Sequence, residues 1–107
     1  MANETVQKFF DNLANNVDPS KLAGLNATYQ FNITGDGGNW YVEFNDGHPT
    51  VNEGTAPEPS ITLTADAGDW AEIVTGQQDG QTAFLTGKLK IQGDMTLAMK
   101  LQSILQA

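Results

Sequence analysis

Few residues of this chain belong to the types that catalyse reactions. His48 is the single histidine in 107 residues, and there is no cysteine. A histidine works as a general base only beside a serine or threonine nucleophile and a third group that orients it, and the sequence sets up neither. Without cysteine, thiolate catalysis, disulfides and cysteine-based zinc sites are excluded. We therefore predict that the chain is not an enzyme and needs no cofactor or metal.

Two other groups of residues resemble sites but have simpler explanations. Asp66, Asp69 and Glu72 could form a carboxylate cluster, yet Asp66 is placed to cap a predicted helix and Asp69 lies in its first turn, where the helix dipole favours a negative charge. The segment 35–38, Gly-Asp-Gly-Gly, joins two predicted strands. A phosphate-binding loop instead opens a helix whose N–H groups point at the anion. Neither group predicts a binding site.

The charge of the chain excludes further classes of partner. Thirteen carboxylates face five lysines and no arginine, for a net charge of −8. Nucleic-acid binding depends on lysine and arginine neutralising phosphates, so we do not expect it. Three of the five lysines, Lys88, Lys90 and Lys100, lie close together in the sequence. They are candidates for meeting an anionic head group, or else ordinary solubilising residues.

The N-terminal half predicts helix followed by an antiparallel meander. Apolar residues from Val6 to Val17 recur at helical spacing, and Asp18-Pro19 then begins a further turn of helix that ends at Gly24. Alternating apolar and polar residues predict strands over 28–34, 40–45 and 48–52. The third contains Pro49, which cannot donate to a strand ladder, so we place it at the edge of the sheet.

The second half alternates strands with helices. A connection with two prolines, 53–59, is long enough to let the next strand join elsewhere in the sheet. The predicted elements are a strand over 60–65, a helix over 67–75, a short helix around 83–85, a strand over 88–92 and a helix over 95–105 capped by Asp94. Together, the elements of the two halves predict an α+β fold in which a five-stranded sheet carries helices on one face.

The last predicted helix has two apolar stripes. Met95 and Met99 form one stripe, which Gln102 separates from the other. The larger stripe consists of Leu97, Ala98, Leu101, Ile104 and Leu105. Two stripes need two apolar partners, of which one is the sheet. The second partner is either the core, a second subunit or a ligand.

The segment 87–101, GKLKIQGDMTLAMKL, resembles the C-terminal signature of the sterol carrier protein 2 family. The resemblance is specific over 61–105 and looser over 25–52. It implies one lipid-binding domain over 1–107, with a tunnel between the sheet and the helices, of which the last helix forms a wall. It also implies a non-catalytic carrier of fatty acyl chains, acyl-CoA, phospholipids or sterols, and it leaves the identity of the lipid open.

The resemblance makes the side chains expected to face the interior candidates for ligand contact. They are Phe31, Trp40, Phe44, Trp70, Ile73, Phe84, Leu89, Ile91, Met95, Ala98, Met99 and, on the last helix, Gln102. Sequence alone does not separate a filled core from a hollow one, because the same residues serve both.

A second function remains open, that of an accessory module which docks a partner through its last helix. A homodimer and a transient contact with a membrane are further alternatives for partners. No apolar run approaches the ~20 residues of a membrane span. With no secretory signal at the N-terminus and no peroxisomal address at the C-terminus, we expect a cytoplasmic protein.

Overall fold

The chain forms a mixed five-stranded sheet with helices on one face, which confirms the predicted α+β class. This computed structural model describes residues 4–16 and 24–105, except the side chains of residues 5, 14–16 and 101–105. The strands are β1 Ala27–Thr34, β2 Gly38–Asn45, β3 His48–Glu53, β4 Ile61–Asp66 and β5 Leu89–Gly93. The helices are α1 Glu4–Asn16, α2 Ala67–Val74, α3 Gly80–Leu85 and α4 Met95–Leu105. The helical turn predicted at Asp18-Pro19 lies outside the described residues.

The order of the strands in the sheet is β3-β2-β1-β4-β5. Neighbouring strands are antiparallel except for β1 and β4, which run parallel, with Phe31 opposite Leu63. The connection after β3 therefore crosses the sheet, as the sequence predicted, so that β4 joins beside β1. The strand with Pro49 lies at one edge, which confirms that prediction, and β5 lies at the other.

The two faces of the sheet are covered in different ways. The helical face carries the buried apolar residues of the strands, such as Tyr29 and Phe31 on β1. Gln30 alternates with them and is buried on the opposite face, where its Nε2 donates to the main-chain oxygens of Trp40 and Gly54, both at 3.1 Å. Its Oε1 accepts from the Ala56 N–H at 2.7 Å. These bonds hold segment 54–56 against the outer face.

The N-caps that the sequence predicted for α2 and α4 are confirmed. Asp66 accepts a hydrogen bond from Gly68 N at 2.9 Å, and Asp94 accepts one from Thr96 N at 2.9 Å, as N-cap residues do. Gly93 precedes the second cap with a φ of +119°, and a Cβ there would lie 2.6 Å from the Ser60 carbonyl oxygen. Glycine is therefore required where β5 turns into α4.

Candidate functional site

A cavity of about 440 Å³ lies between α3 and α4, above β4 and β5, and is partly open to solvent. Its lining residues come from five elements and are mostly apolar. They are Leu63, Trp70, Gly80, Gln81, Phe84, Leu89, Ile91, Met95, Ala98 and Met99. The volume falls within the range of roughly 300 to 1,000 Å³ that is typical of small-molecule sites.

Helix α4 uses its two apolar stripes for different purposes. Leu97 and Ala98, from the first stripe, are half-buried against the hydrophobic core, and Ala98 also lines the cavity. Met95 and Met99, from the second, line the cavity and are 48% and 71% exposed. The second stripe therefore faces a cavity and solvent, and a ligand and a second subunit remain the two alternatives for its partner.

A buried tyrosine holds α4 against the sheet. The hydroxyl of Tyr29, which has no solvent exposure, donates to the Leu97 carbonyl oxygen at 2.6 Å. Burial raises the pKa of this phenol well above its usual value, and the negative charge of Asp94 raises the pKa further. Tyr29 therefore stays protonated and keeps donating its hydrogen bond over the physiological pH range.

The structure brings seven of the twelve candidate ligand-contact residues together around the cavity. They are Trp70, Phe84, Leu89, Ile91, Met95, Ala98 and Met99. Gln102 belongs to α4, but its side chain lies outside the described part of the chain. Sequence reasoning missed Leu63, Gly80 and Gln81. The alternation in β4 places Leu63 on the inner face and could have found it, whereas nothing in the sequence singles out Gly80 or Gln81.

Four of the twelve candidate ligand-contact residues do not line this cavity. The aromatic residues Phe31, Trp40 and Phe44 are buried in the core because other rings fill the space above them. The ring of Phe10 on α1 stacks on Trp40 with centroids 4.8 Å apart and meets Phe31 edge-on at 5.2 Å. Ile73 is buried on α2 behind Gly80, with its Cγ2 3.7 Å from an ideal Cβ at that glycine.

Polar groups contribute little to the cavity. Among its described lining residues, only Gln81 and the indole N–H of Trp70 offer hydrogen-bonding side chains, and Trp70 Nε1 is buried without a partner within the described residues. None of the lysines proposed for a head group lines the cavity. Lys90 alternates with Leu89 and Ile91, so it lies on the opposite face of the sheet.

Other kinds of site find no support in the described residues. His48 is exposed on the edge strand β3, at the far side of the sheet from the cavity. Within residues 4–16 and 24–105, no group of three or more histidine, aspartate or glutamate side chains could hold a metal ion. No helix among the same residues has the length and apolar character to cross a membrane.

Comparison with known proteins assigns the family. Residues 6–106 match the model of the SCP-2 sterol transfer family. The chain is 35% identical over 105 residues to hydroxysteroid dehydrogenase-like protein 2 of Xenopus tropicalis, an alignment that covers 94% of this chain but 24% of that protein. The chain thus spans about a quarter of the length of such curated relatives.

Two solved structures share this fold over at least 90% of both chains. Sterol carrier protein 2 like 2 from Aedes aegypti superimposes with a TM-score of 0.76 at 25% identity, covering 94% of each chain. Sterol carrier protein 2 from Yarrowia lipolytica gives a TM-score of 0.74 at 29% identity, over 95% of this chain and 90% of that one. The chain belongs to the SCP-2 sterol transfer family.

Proposed function

We propose that residues 1–107 form one lipid-binding domain, which holds a hydrocarbon chain in the cavity between α3 and α4. The observation that carries this proposal is a cavity of about 440 Å³ with apolar walls in a member of a sterol transfer family. Fatty acyl chains, acyl-CoA, phospholipids and sterols all fit this chemistry. The cavity would take the acyl chain or the ring system, while the head group would remain near the opening.

Affinity would come from burial of the ligand rather than from polar contacts. Each methylene removed from water is worth about 0.8 kcal/mol, so ten of them contribute about 8 kcal/mol before the costs of association. With Gln81 and Trp70 as the only hydrogen-bonding side chains among the described lining residues, the site would tolerate many chain types. Selectivity would follow from the size and shape of the cavity.

We propose a carrier without catalysis, located in the cytoplasm. Longer relatives such as hydroxysteroid dehydrogenase-like protein 2 carry an enzyme's name, but this chain corresponds to 24% of the Xenopus tropicalis protein. The only histidine in the sequence is exposed on β3, away from the cavity. This chain would therefore supply lipid binding, whether it acts alone or beside an enzyme.

Binding of a fluorescent fatty acid in solution tests the proposal. Ala98→Phe would place a ring into the cavity and is expected to weaken binding at least about tenfold, since it displaces several methylenes of ligand. Ala71→Phe is the matched control, because Ala71 is a half-buried alanine on α2 outside the cavity lining. Absence of binding to the unmodified protein, together with no lipid in an organic extract of it, would contradict the proposal.

The exposed side of α4 favours a second function, that of an accessory module. Met99 is 71% exposed, as an apolar residue in a protein interface would be when its partner is absent. If α4 docks a second copy of the chain, the molecular mass in solution should rise with protein concentration. A mass that stays monomeric over a wide range of concentrations would count against a homodimer.

A further inference from the structure

The exposed large apolar side chains in the described part of the chain lie on α3 and α4, around the cavity. Among the side chains that the structure describes, they are Phe84, Leu85, Met95 and Met99, with exposures of 38%, 74%, 48% and 71%. Three of the four also line the cavity, and Leu85 follows Phe84 at the end of α3. We call these four residues the apolar rim.

None of the four rim residues is charged, and the nearest charged residues in the sequence are the exposed Lys88, Asp94 and Lys100. Helix α3, with the sequence GQTAFL, has no ionisable side chain, and neither does the start of α4, MTLAM. The whole chain carries thirteen carboxylates and five lysines. The exposed Lys88 lies three residues after Leu85, and its main-chain N–H donates to the Ala83 carbonyl oxygen of α3 at 2.8 Å.

We infer that the apolar rim docks onto the surface of an electrically neutral phospholipid bilayer, an inference that rests on the proposed lipid-binding function. A solvent-exposed apolar patch of this kind marks an interaction surface. The net charge of −8 opposes binding to anionic membranes, whereas the uncharged rim matches a zwitterionic one.

The position of the cavity favours a bilayer over a protein partner. Three of the rim residues are exposed and line the partly open cavity, so a protein seated on the rim would cover the access to it. A bilayer would accept the rim side chains among its acyl chains and would also supply the ligand. The hydrocarbon could then pass between membrane and cavity without crossing water, which would otherwise cost about 0.8 kcal/mol for each exposed methylene.

Leu85→Glu separates docking from ligand binding, because Leu85 does not line the cavity. We expect the affinity of the variant for phosphatidylcholine vesicles, measured by sedimentation, to fall at least about tenfold. The reason is that the apolar surface of Leu85 is no longer buried in the bilayer on docking. Binding of the fluorescent fatty acid in solution should stay unchanged. At 74% exposure, Leu85 can be replaced without disturbing the core.

Thr55→Glu is the matched control, because it adds the same charge at an exposed site on the outer face of the sheet. This control should bind the vesicles as the unmodified protein does. Equal losses in both variants, or no loss with Leu85→Glu, would overturn the inference. Binding that requires added phosphatidylserine would also overturn it.

The same experiment separates this inference from the proposed function. If the unmodified protein binds fatty acid but its rim variant still sediments with vesicles, docking by the rim is refuted and lipid binding stands. If no fatty acid binds while sedimentation depends on Leu85, the rim is a membrane surface and the proposed function fails. If Leu85→Glu turns a dimer into a monomer without vesicles, the rim is a protein interface and the bilayer is ruled out.

Discussion

The helical face of the sheet is filled at one end and hollow at the other. Over β1 and β2, aromatic rings occupy the space between the sheet and α1, with Phe10 packed against both Trp40 and Phe31. Over β4 and β5, the strands contribute Leu63, Leu89 and Ile91, and a cavity of about 440 Å³ remains above them. One continuous sheet therefore supports a close-packed core and a candidate binding site.

The difference follows from what each covering helix brings to the sheet. Helix α1 directs a phenylalanine ring into the gap, where edge-on and stacked contacts leave little room. Helix α4 brings Ala98, whose side chain is a single methyl group, and its methionines stay at the margin of the cavity. The small side chain of Ala98 thus contributes to the space above β4 and β5.

The largest effect is expected from a change in the filled half. Phe10→Ala should lower the free energy of unfolding by about 3 to 5 kcal/mol, because it removes a buried ring and leaves a cavity that its neighbours cannot close. Met95→Ala in the hollow half serves for comparison. It should lower the free energy of unfolding by about 1 kcal/mol, because Met95 is half-exposed and lines the cavity. Urea denaturation measures both. Similar losses would show that the two halves are packed alike.

A smaller effect is expected at the turn that positions α4 beside the cavity. Gly93→Ala should lower the free energy of unfolding by roughly 2 to 4 kcal/mol. The new Cβ would lie 2.6 Å from the Ser60 carbonyl oxygen, and the positive φ of residue 93 already disfavours any side chain.

Gly87→Ala is the control for that change. Gly87 has a φ of +82° but no atom within 4 Å of its ideal Cβ, so only the strain of about 1 to 2 kcal/mol applies. Equal losses in the two variants, measured by thermal denaturation, would mean that the close approach to Ser60 contributes nothing.

The smallest effect is expected from the hydrogen bond that links the filled half to α4. Tyr29→Phe should cost about 1 kcal/mol, since it removes the bond to Leu97 and keeps the ring. Because burial raises the pKa of Tyr29, the folded state keeps a proton that the unfolded chain loses near pH 10.

The contribution of Tyr29 to stability is therefore complete below about pH 10 and falls at higher pH. Unfolding free energies measured from pH 8 to 11 should decline less steeply in Tyr29→Phe than in the unmodified protein. Parallel curves would indicate that this hydroxyl is not buried as described.

Much of the secondary structure could be predicted because its signals are local. The alternation in β1 and β2, the proline in β3 and the caps at Asp66 and Asp94 each depend on a few neighbouring residues. The bounds of α4 and β5 agree with the prediction to within one residue. The length of the connection before β4 also predicted that this strand joins elsewhere in the sheet, but its place beside β1 was not predicted.

The site was predictable only in part, because inward-facing residues are alike in sequence whether or not they touch a void. Phe31, Phe44 and Leu89 all lie at inward positions of alternating strands, yet only Leu89 lines the cavity. Gly80 and Gln81 line it only because α3 stands beside α4 in space.

The sequence by itself determined which faces of the strands and helices are apolar, since period and turn chemistry are properties of the chain. Its composition also led to the prediction that the chain neither catalyses a reaction nor binds nucleic acid. Only the tertiary structure decided which apolar positions pack together and which enclose a space. Packing depends on the sizes and directions of side chains that are far apart in sequence, such as Phe10, which stacks on Trp40, and Leu63 and Ala98, which line one cavity.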